Sequence, residues 1–183
     1  YKVSKFKIFQ NQSKKDFSIL NYDDLNLRRA LNKNGLTKAK VVWVSSQKNL
    51  EDGISYLGDI LNDNYFTKKK YKINNNIFLK HNHNKLNFVI SYAALKCINY
   101  ESNKAIKILK NFRGLPHRVE YIGKINNVYF YNDSKATNVS ATASALKSFN
   151  KVFLIAGGSN KGLSFNSLKK QSERIFEAYL IGE

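Results

Sequence analysis

The stretch YFYNDSKATNVSATASAL, residues 129–146, opens as a strand and closes as a helix, with six polar or small residues, Asp133–Asn138, between them. Its aromatic start favours extended chain, and an Asn before small residues is a helix N-cap pattern, so a helix is expected from about Asn138. Downstream come an apolar run, KVFLIAGG (151–158), a helix-like segment near NSLKKQSERI (166–175) and a second apolar run, AYLIG (178–182). Strand, helix, strand, helix, strand predicts an α/β fold in which a parallel sheet is covered by helices. Just upstream, RVEYIGKINNVYFYND (118–133) reads as a hairpin turning at Asn126–Asn127.

The first part of the chain has the same character. FSILNYDD (17–24) predicts a strand over Phe17–Asn21, with Asp23 as candidate N-cap for the helix LNLRRALNK (25–33). AKVVWVS (39–45) is a second strand, and YFTKKKYKINNNIFLK (65–80) suggests a hairpin turning at Asn74–Asn76. After HNHNKLN (81–87), FVISYAALKCI (88–98) follows helical spacing, and SNKAIKILKNF (102–112) is a second helix opened by Ser102. RGLPHR (113–118) holds the single proline, Pro116, close to Gly114. Such punctuation marks a boundary, predicting two α/β pieces, 1–113 and 114–183.

Composition bounds the function. A chain of 183 residues that is 43% apolar can bury a core. The single cysteine, Cys97, allows no internal disulfide and no cysteine-based metal site; its apolar helical setting predicts a buried structural thiol and fits a reducing compartment. No apolar run nears the roughly 18 residues of a membrane helix, and YKVSKFKIFQ (1–10) lacks the apolar centre of a signal peptide. These features predict a cytoplasmic protein with no membrane partner. The absence of any Met predicts a piece of a longer protein. The net charge of +18 raises nucleic-acid binding, but the lysines are scattered along the whole chain rather than grouped. No nucleic-acid partner is expected, and acidic small molecules are the favoured ligands.

Two loops at strand ends concentrate the chemistry. NDSKATN (132–138) offers a carboxylate in Asp133, a cation in Lys135 and hydroxyls in Ser134 and Thr137 ahead of a helix N-terminus. AGGSNKG (156–162) combines glycines that admit close backbone approach with Lys161. Either loop alone reads equally as turn and capping chemistry. Two lysine-bearing loops at adjacent strand ends predict a shared anion site.

GLPHRVE (114–120), YFYNDSKATN (129–138), LIAGGSNKGLSF (154–165) and the upstream HNHNKLN (81–87) occur in the same order in the Mur ligases, which this chain resembles. YKVSKFKIFQN (1–11) and ILNYDD (19–24) extend the resemblance over the whole chain. It implies that residues 1–113 are the distal part of a central ATP-binding domain, and that 114–183 begin a Rossmann-like C-terminal domain. Within the family, the Asp-Ser-Lys-Ala-Thr-Asn loop and the Gly-Leu-Pro-His-Arg boundary look most like members that join D-glutamate to UDP-N-acetylmuramoyl-L-alanine. The activity implied is ATP-dependent amide formation through an acyl phosphate in peptidoglycan synthesis, with magnesium.

The resemblance also implies residue roles. Lys5 matches a lysine carbamylated in this family, whose added carboxylate helps hold magnesium; without the family it is a surface lysine. Asn87 matches an adenine contact, and Arg118 and Asp133 match nucleotide contacts, the carboxylate facing ribose hydroxyls. Lys135 matches a catalytic group near the γ-phosphate and acyl phosphate, while Thr137 and Lys161 match D-glutamate carboxylate contacts. His117 shapes the boundary and His83 packs; neither is a catalytic candidate. Neutral Ser159 and Asn160, Ser164 before Phe165, and His81 depart from the family pattern. No Gly-Lys-Ser or Gly-Lys-Thr phosphate loop occurs, so this chain alone is expected to be inactive. A sibling Mur ligase, a non-catalytic scaffold and a basic nucleic-acid module are the competing readings.

Overall fold

The computed structural model describes residues 2–73, 79, 82–159, 162 and 164–182. The chain divides into two compact units, Tyr1–Arg113 and Gly114–Glu183.

In the first unit a short helix α1 (Lys2–Phe6) precedes β1 (Phe17–Asn21), α2 (Leu25–Asn34), β2 (Lys40–Ser45), β3 (Ile54–Leu57), β4 (Ile60–Asp63), β5 (Lys69–Lys72), α3 (Asn82–Cys97) and α4 (Ser102–Asn111). The strands form one sheet in sequence order. β1 and β2 pair in parallel because α2 carries the chain back between them, and β2 and β3 are also parallel. β3 and β4 instead form a tight hairpin in which Leu57 faces Ile60, and β5 adds antiparallel to β4. The intervening Gly58–Asp59 pair is a hairpin signal missed in the sequence; Gly58 supplies the left-handed φ of +55° that the turn needs. The Asn74–Asn76 turn lies outside the described residues.

Helix α3 packs across β1, β2 and β3 and against α4. Val42, Val44 and Ile54 from the sheet meet Phe88, Val89 and Ala93 from the helix in one buried cluster. Burying each of the larger side chains contributes about 1.5–3 kcal/mol. At the margin of this core, Asp63 is wholly buried yet fully hydrogen-bonded. Its Oδ1 accepts the N–H groups of Tyr65 and Phe66, and its Oδ2 accepts the hydroxyls of Thr67 and Tyr92, both at 2.9 Å. A buried carboxylate persists only when its lone pairs are answered in this way. Burial first, and then the Asp63 carboxylate, hold the Tyr92 phenol far above its usual range. Cys97 is half-buried, packs against the core, and has its thiol pushed up by burial, in keeping with an inert structural role.

Two sequence expectations are corrected in this unit. The N-cap of α2 is Asp24, whose side chain accepts the N–H groups of Asn26 and Leu27. Asp23 turns instead to the end of β2, accepting Ser45 Oγ at 2.6 Å and the Ser46 N–H at 2.9 Å. Helix α3 also begins at Asn82, so Asn87 lies in its second turn rather than at its start. Tertiary packing on the sheet extends the helix through a polar stretch of weak periodicity.

The second unit contains β6 (Glu120–Ile125), β7 (Val128–Asn132), α5 (Val139–Leu146), β8 (Val152–Gly157), the one-turn helix α6 (Asn166–Lys169) and β9 (Ile175–Ile181). β6 and β7 are the expected hairpin, with Asn126 at φ +44° and Asn127 at φ +66° in its turn. β8 and β9 pair in parallel through the α6 crossover. Among the described residues the continuous parallel arrangement expected from β7 onward is not found: β7 pairs antiparallel with β6, while β8 pairs in parallel with β9 in a separate sheet. The left-handed Asn-Asn turn returns the chain on itself, so the hydrogen bonds of β7 are satisfied locally. The loops after β7 and β8 therefore do not leave neighbouring strands of one sheet. Arg174 Nη1 donates to the Phe149 carbonyl at 2.7 Å, fastening the entry to β9 to the end of α5.

Candidate nucleotide-binding loops

The loop after β7 is built by its own backbone. Ser134 N–H donates to Asn132 Oδ1 at 3.0 Å, Ala136 N–H to the Asp133 carbonyl at 2.8 Å, and Thr137 N–H to the Lys135 carbonyl at 2.9 Å. Asn138 then caps α5, its Oδ1 accepting Ala141 N–H at 2.9 Å, as the sequence predicts. Lys135 and Thr137 are exposed, and Asp133 is half-buried.

The segment 114–120 is laced onto this loop. Lys135 N–H donates to the His117 carbonyl at 3.1 Å, Val119 N–H donates to Asp133 Oδ1 at 3.1 Å, and Asn132 Nδ2 meets His117 Nδ1 at 2.9 Å. Arg118 is thereby held between two residues tied to the Asp133–Lys135 turn, with its own side chain exposed. His117 sits at φ +63° and Val119 at φ +48°. For a β-branched residue this conformation costs on the order of 1–3 kcal/mol, and such strain gathers where a binding geometry must be held. Val119 takes up one oxygen of Asp133, and no other hydrogen bond is formed by the second oxygen among the described residues. That oxygen keeps the lone pairs of a hydrogen-bond acceptor. Arg118 and Lys135 are exposed cations on the two backbone segments tied to Asp133.

The loop after β8 is a close backbone crossing. A Cβ on Gly157 would collide with the Ile181 carbonyl oxygen, and Gly158 takes φ +112° while its N–H donates to the same oxygen at 3.2 Å. Only glycine fits at position 157. Lys161 and Asn160 lie outside the described residues, as do His81 and the side chain of His83. In the first unit, Lys5 is an exposed residue of α1 and Asn87 an exposed residue of α3. Among the described residues no group of three or more His, Cys, Asp or Glu could hold a metal ion. No described helix is long and apolar enough to cross a membrane.

Arg118, Asp133, Lys135 and Thr137, singled out in the sequence, lie on two segments that backbone hydrogen bonds tie together, while Asn132 and Val119 were missed. Asn132 had a local signal, the Asn-x-Ser spacing of a side-chain turn. Val119 had none, because its role lies in its φ angle.

These two laced motifs and the mixed α/β fold point to one class of protein: the chain is, along its whole length, a relative of the Mur ligases. It is 35% identical over 184 residues to the UDP-N-acetylmuramoylalanine--D-glutamate ligase of Rickettsia bellii (strain RML369-C), covering 100% of this chain and 41% of that protein. The enzyme of the same name from Rickettsia felis is 36% identical over 184 residues, covering 100% of the chain and 40% of that protein, and that of Bacillus mycoides is 37% identical over 169 residues, covering 92% and 36%. The chain thus spans about two fifths of the length of these curated relatives. Among solved structures, MurF ligase from Thermotoga maritima, in complex with ADP, superposes with a TM-score of 0.65 at 14% identity, covering 98% of this chain and 43% of that one. The likeness is one of fold. No family model matches the sequence.

Proposed function

We propose that this chain carries the distal part of the central ATP-binding domain and the first part of the C-terminal domain of a cytoplasmic ligase that joins D-glutamate to UDP-N-acetylmuramoyl-L-alanine. The observation that carries this reading is the lacing of 114–120 onto 132–138. It ties the segment that carries Arg118 to the turn that carries Asp133 and Lys135. The full-length relatives bearing the name of that activity are more than one third identical across this chain.

The chemistry follows from charge. The alanine carboxylate of the UDP-sugar attacks the γ-phosphorus of ATP, ADP leaves, and an acyl phosphate forms. The amine of D-glutamate then attacks the acyl carbon, phosphate leaves, and the amine gives up a proton. Anions must meet in the first step, so the ammonium of Lys135 offsets the charge on the transferred phosphoryl group. The second oxygen of Asp133 accepts from a ribose hydroxyl, Arg118 faces the nucleotide and Asn87 the adenine. Thr137 and Lys161 receive the carboxylates of D-glutamate. Lys5 bears on magnesium only if carbamylated, because an ammonium is not a metal ligand. The described residues do not by themselves compose a magnesium site.

The test is phosphate release by the natural full-length protein with ATP, magnesium and UDP-N-acetylmuramoyl-L-alanine, comparing D-glutamate with L-glutamate and including Lys135→Ala. Release that needs D-glutamate and falls at least a hundredfold in the variant, about 2.7 kcal/mol of lost transition-state stabilisation, supports the reading. No release from a folded, nucleotide-binding protein would replace it with a scaffold or a sibling ligase. The 183-residue chain by itself should show no turnover.

A further inference from the structure

We infer that Asn132 is a positioning residue for the nucleotide-facing loops, acting by clamping the His117 ring to the Asp133–Lys135 turn; this rests on the function proposed above. Asn132 ends β7 and precedes Asp133, and both ends of its amide are engaged. Oδ1 accepts the Ser134 N–H at 3.0 Å, which identifies the other amide atom as the donor, so Nδ2 points to His117 Nδ1 at 2.9 Å. Nδ1 accepts this bond in the ring tautomer that has its hydrogen on Nε2, and Glu120 Oε2 lies 3.8 Å from the same Nδ1. His117 is further fixed by its own N–H, which donates to Glu120 Oε2 at 2.7 Å, and by its carbonyl, which receives the Lys135 N–H. One amide side chain thereby couples two segments 15 residues apart.

The coupling has a purpose in the geometry. His117 and Val119 both sit at positive φ, a conformation the chain abandons unless neighbouring bonds hold it. Release of the His117 ring frees the 117–119 backbone to relax. That relaxation removes the acceptor of the Lys135 N–H and the donor to Asp133 Oδ1 together. Asn132 touches no reacting atom, yet it sets where Arg118, Asp133 and Lys135 stand relative to one another.

The experiment uses the natural full-length protein with Asn132→Ala, His117→Ala, the double variant and His117→Asn. Asparagine tolerates the left-handed region and places Oδ1 at the same bond distance from the backbone as Nδ1 of histidine. Each single alanine variant should lower kcat/KM for ATP about tenfold, the double variant no further than the worse single, and His117→Asn should recover most of the loss. Independently of turnover, hydrogen exchange of the Val119 and Lys135 amides should speed several-fold in Asn132→Ala, while the buried Val42 and Val89 amides keep their protection. Multiplication to about a hundredfold in the double variant would overturn the clamp. So would unchanged loop exchange, or a uniform rise that includes the core amides. Absence of D-glutamate-dependent release in the unmodified protein would instead remove the proposed function, and the exchange result would still decide whether Asn132 holds the loop.

Discussion

Val119 shows how a single residue joins stability to function. It is β-branched at φ +48° and its N–H holds one oxygen of Asp133. Val119→Gly removes the side-chain clash and should leave unfolding free energy unchanged or raise it by about 1 kcal/mol, while KM for the nucleotide increases because the loop loosens. Denaturant unfolding and steady-state kinetics on the same variant check both halves. Gly157 is the opposite case, a position where nothing but hydrogen fits. Gly157→Ala drives a methyl against the Ile181 carbonyl, so β8 and β9 must part, at a cost of roughly 1–3 kcal/mol or more in chemical denaturation. Neither effect follows from residue type alone.

At the scale of elements, caps and buried hydroxyls carry measurable weight. Asp24→Ala leaves the first N–H groups of α2 without a partner and should cost about 1 kcal/mol, whereas removing the Asp23 carboxylate acts on the β2 end and leaves α2 capped. Tyr56, from β3, is 1% exposed, and burial, then the nearby Asp59, pushes its phenol up to about 12. In the unfolded chain that phenol ionises near 10, so the unfolded state releases its proton first as pH rises. Stability is therefore complete below about pH 10 and should fall by roughly 3 kcal/mol as pH climbs toward 12. Urea unfolding from pH 9 to 12 should show this decline, with a shallower slope in Tyr56→Phe. The β3–β4 hairpin that carries Tyr56 was legible only in its Gly-Asp turn, because its apolar residues face both sides of the sheet and leave no alternation to read.

For the whole molecule, charge and incompleteness matter together. A net charge of +18 concentrates anionic nucleotides near the surface without specifying them. Nucleotide affinity of the full-length protein should weaken about two- to fivefold between 50 and 300 mM salt, as calorimetry would show, since the Debye length shrinks over that range. An affinity independent of salt would assign binding to enclosed contacts instead. Residues outside this chain make up the larger part of the length of its curated relatives, so turnover is a property to be measured on the natural full-length protein.

The sequence by itself determined the α/β class, the break near Arg113, the β6–β7 turn and the Asn138 cap. These are local signals: periodicity, turn chemistry and short motifs act over a few residues. Only the tertiary structure decided that β7 pairs with β6, that Asp24 caps α2 while Asp23 crosses to β2, and that Asn132, His117 and Val119 bind the two motifs into one support. Pairing partners and φ angles depend on which distant groups answer a hydrogen bond, and that is settled when the chain closes on itself.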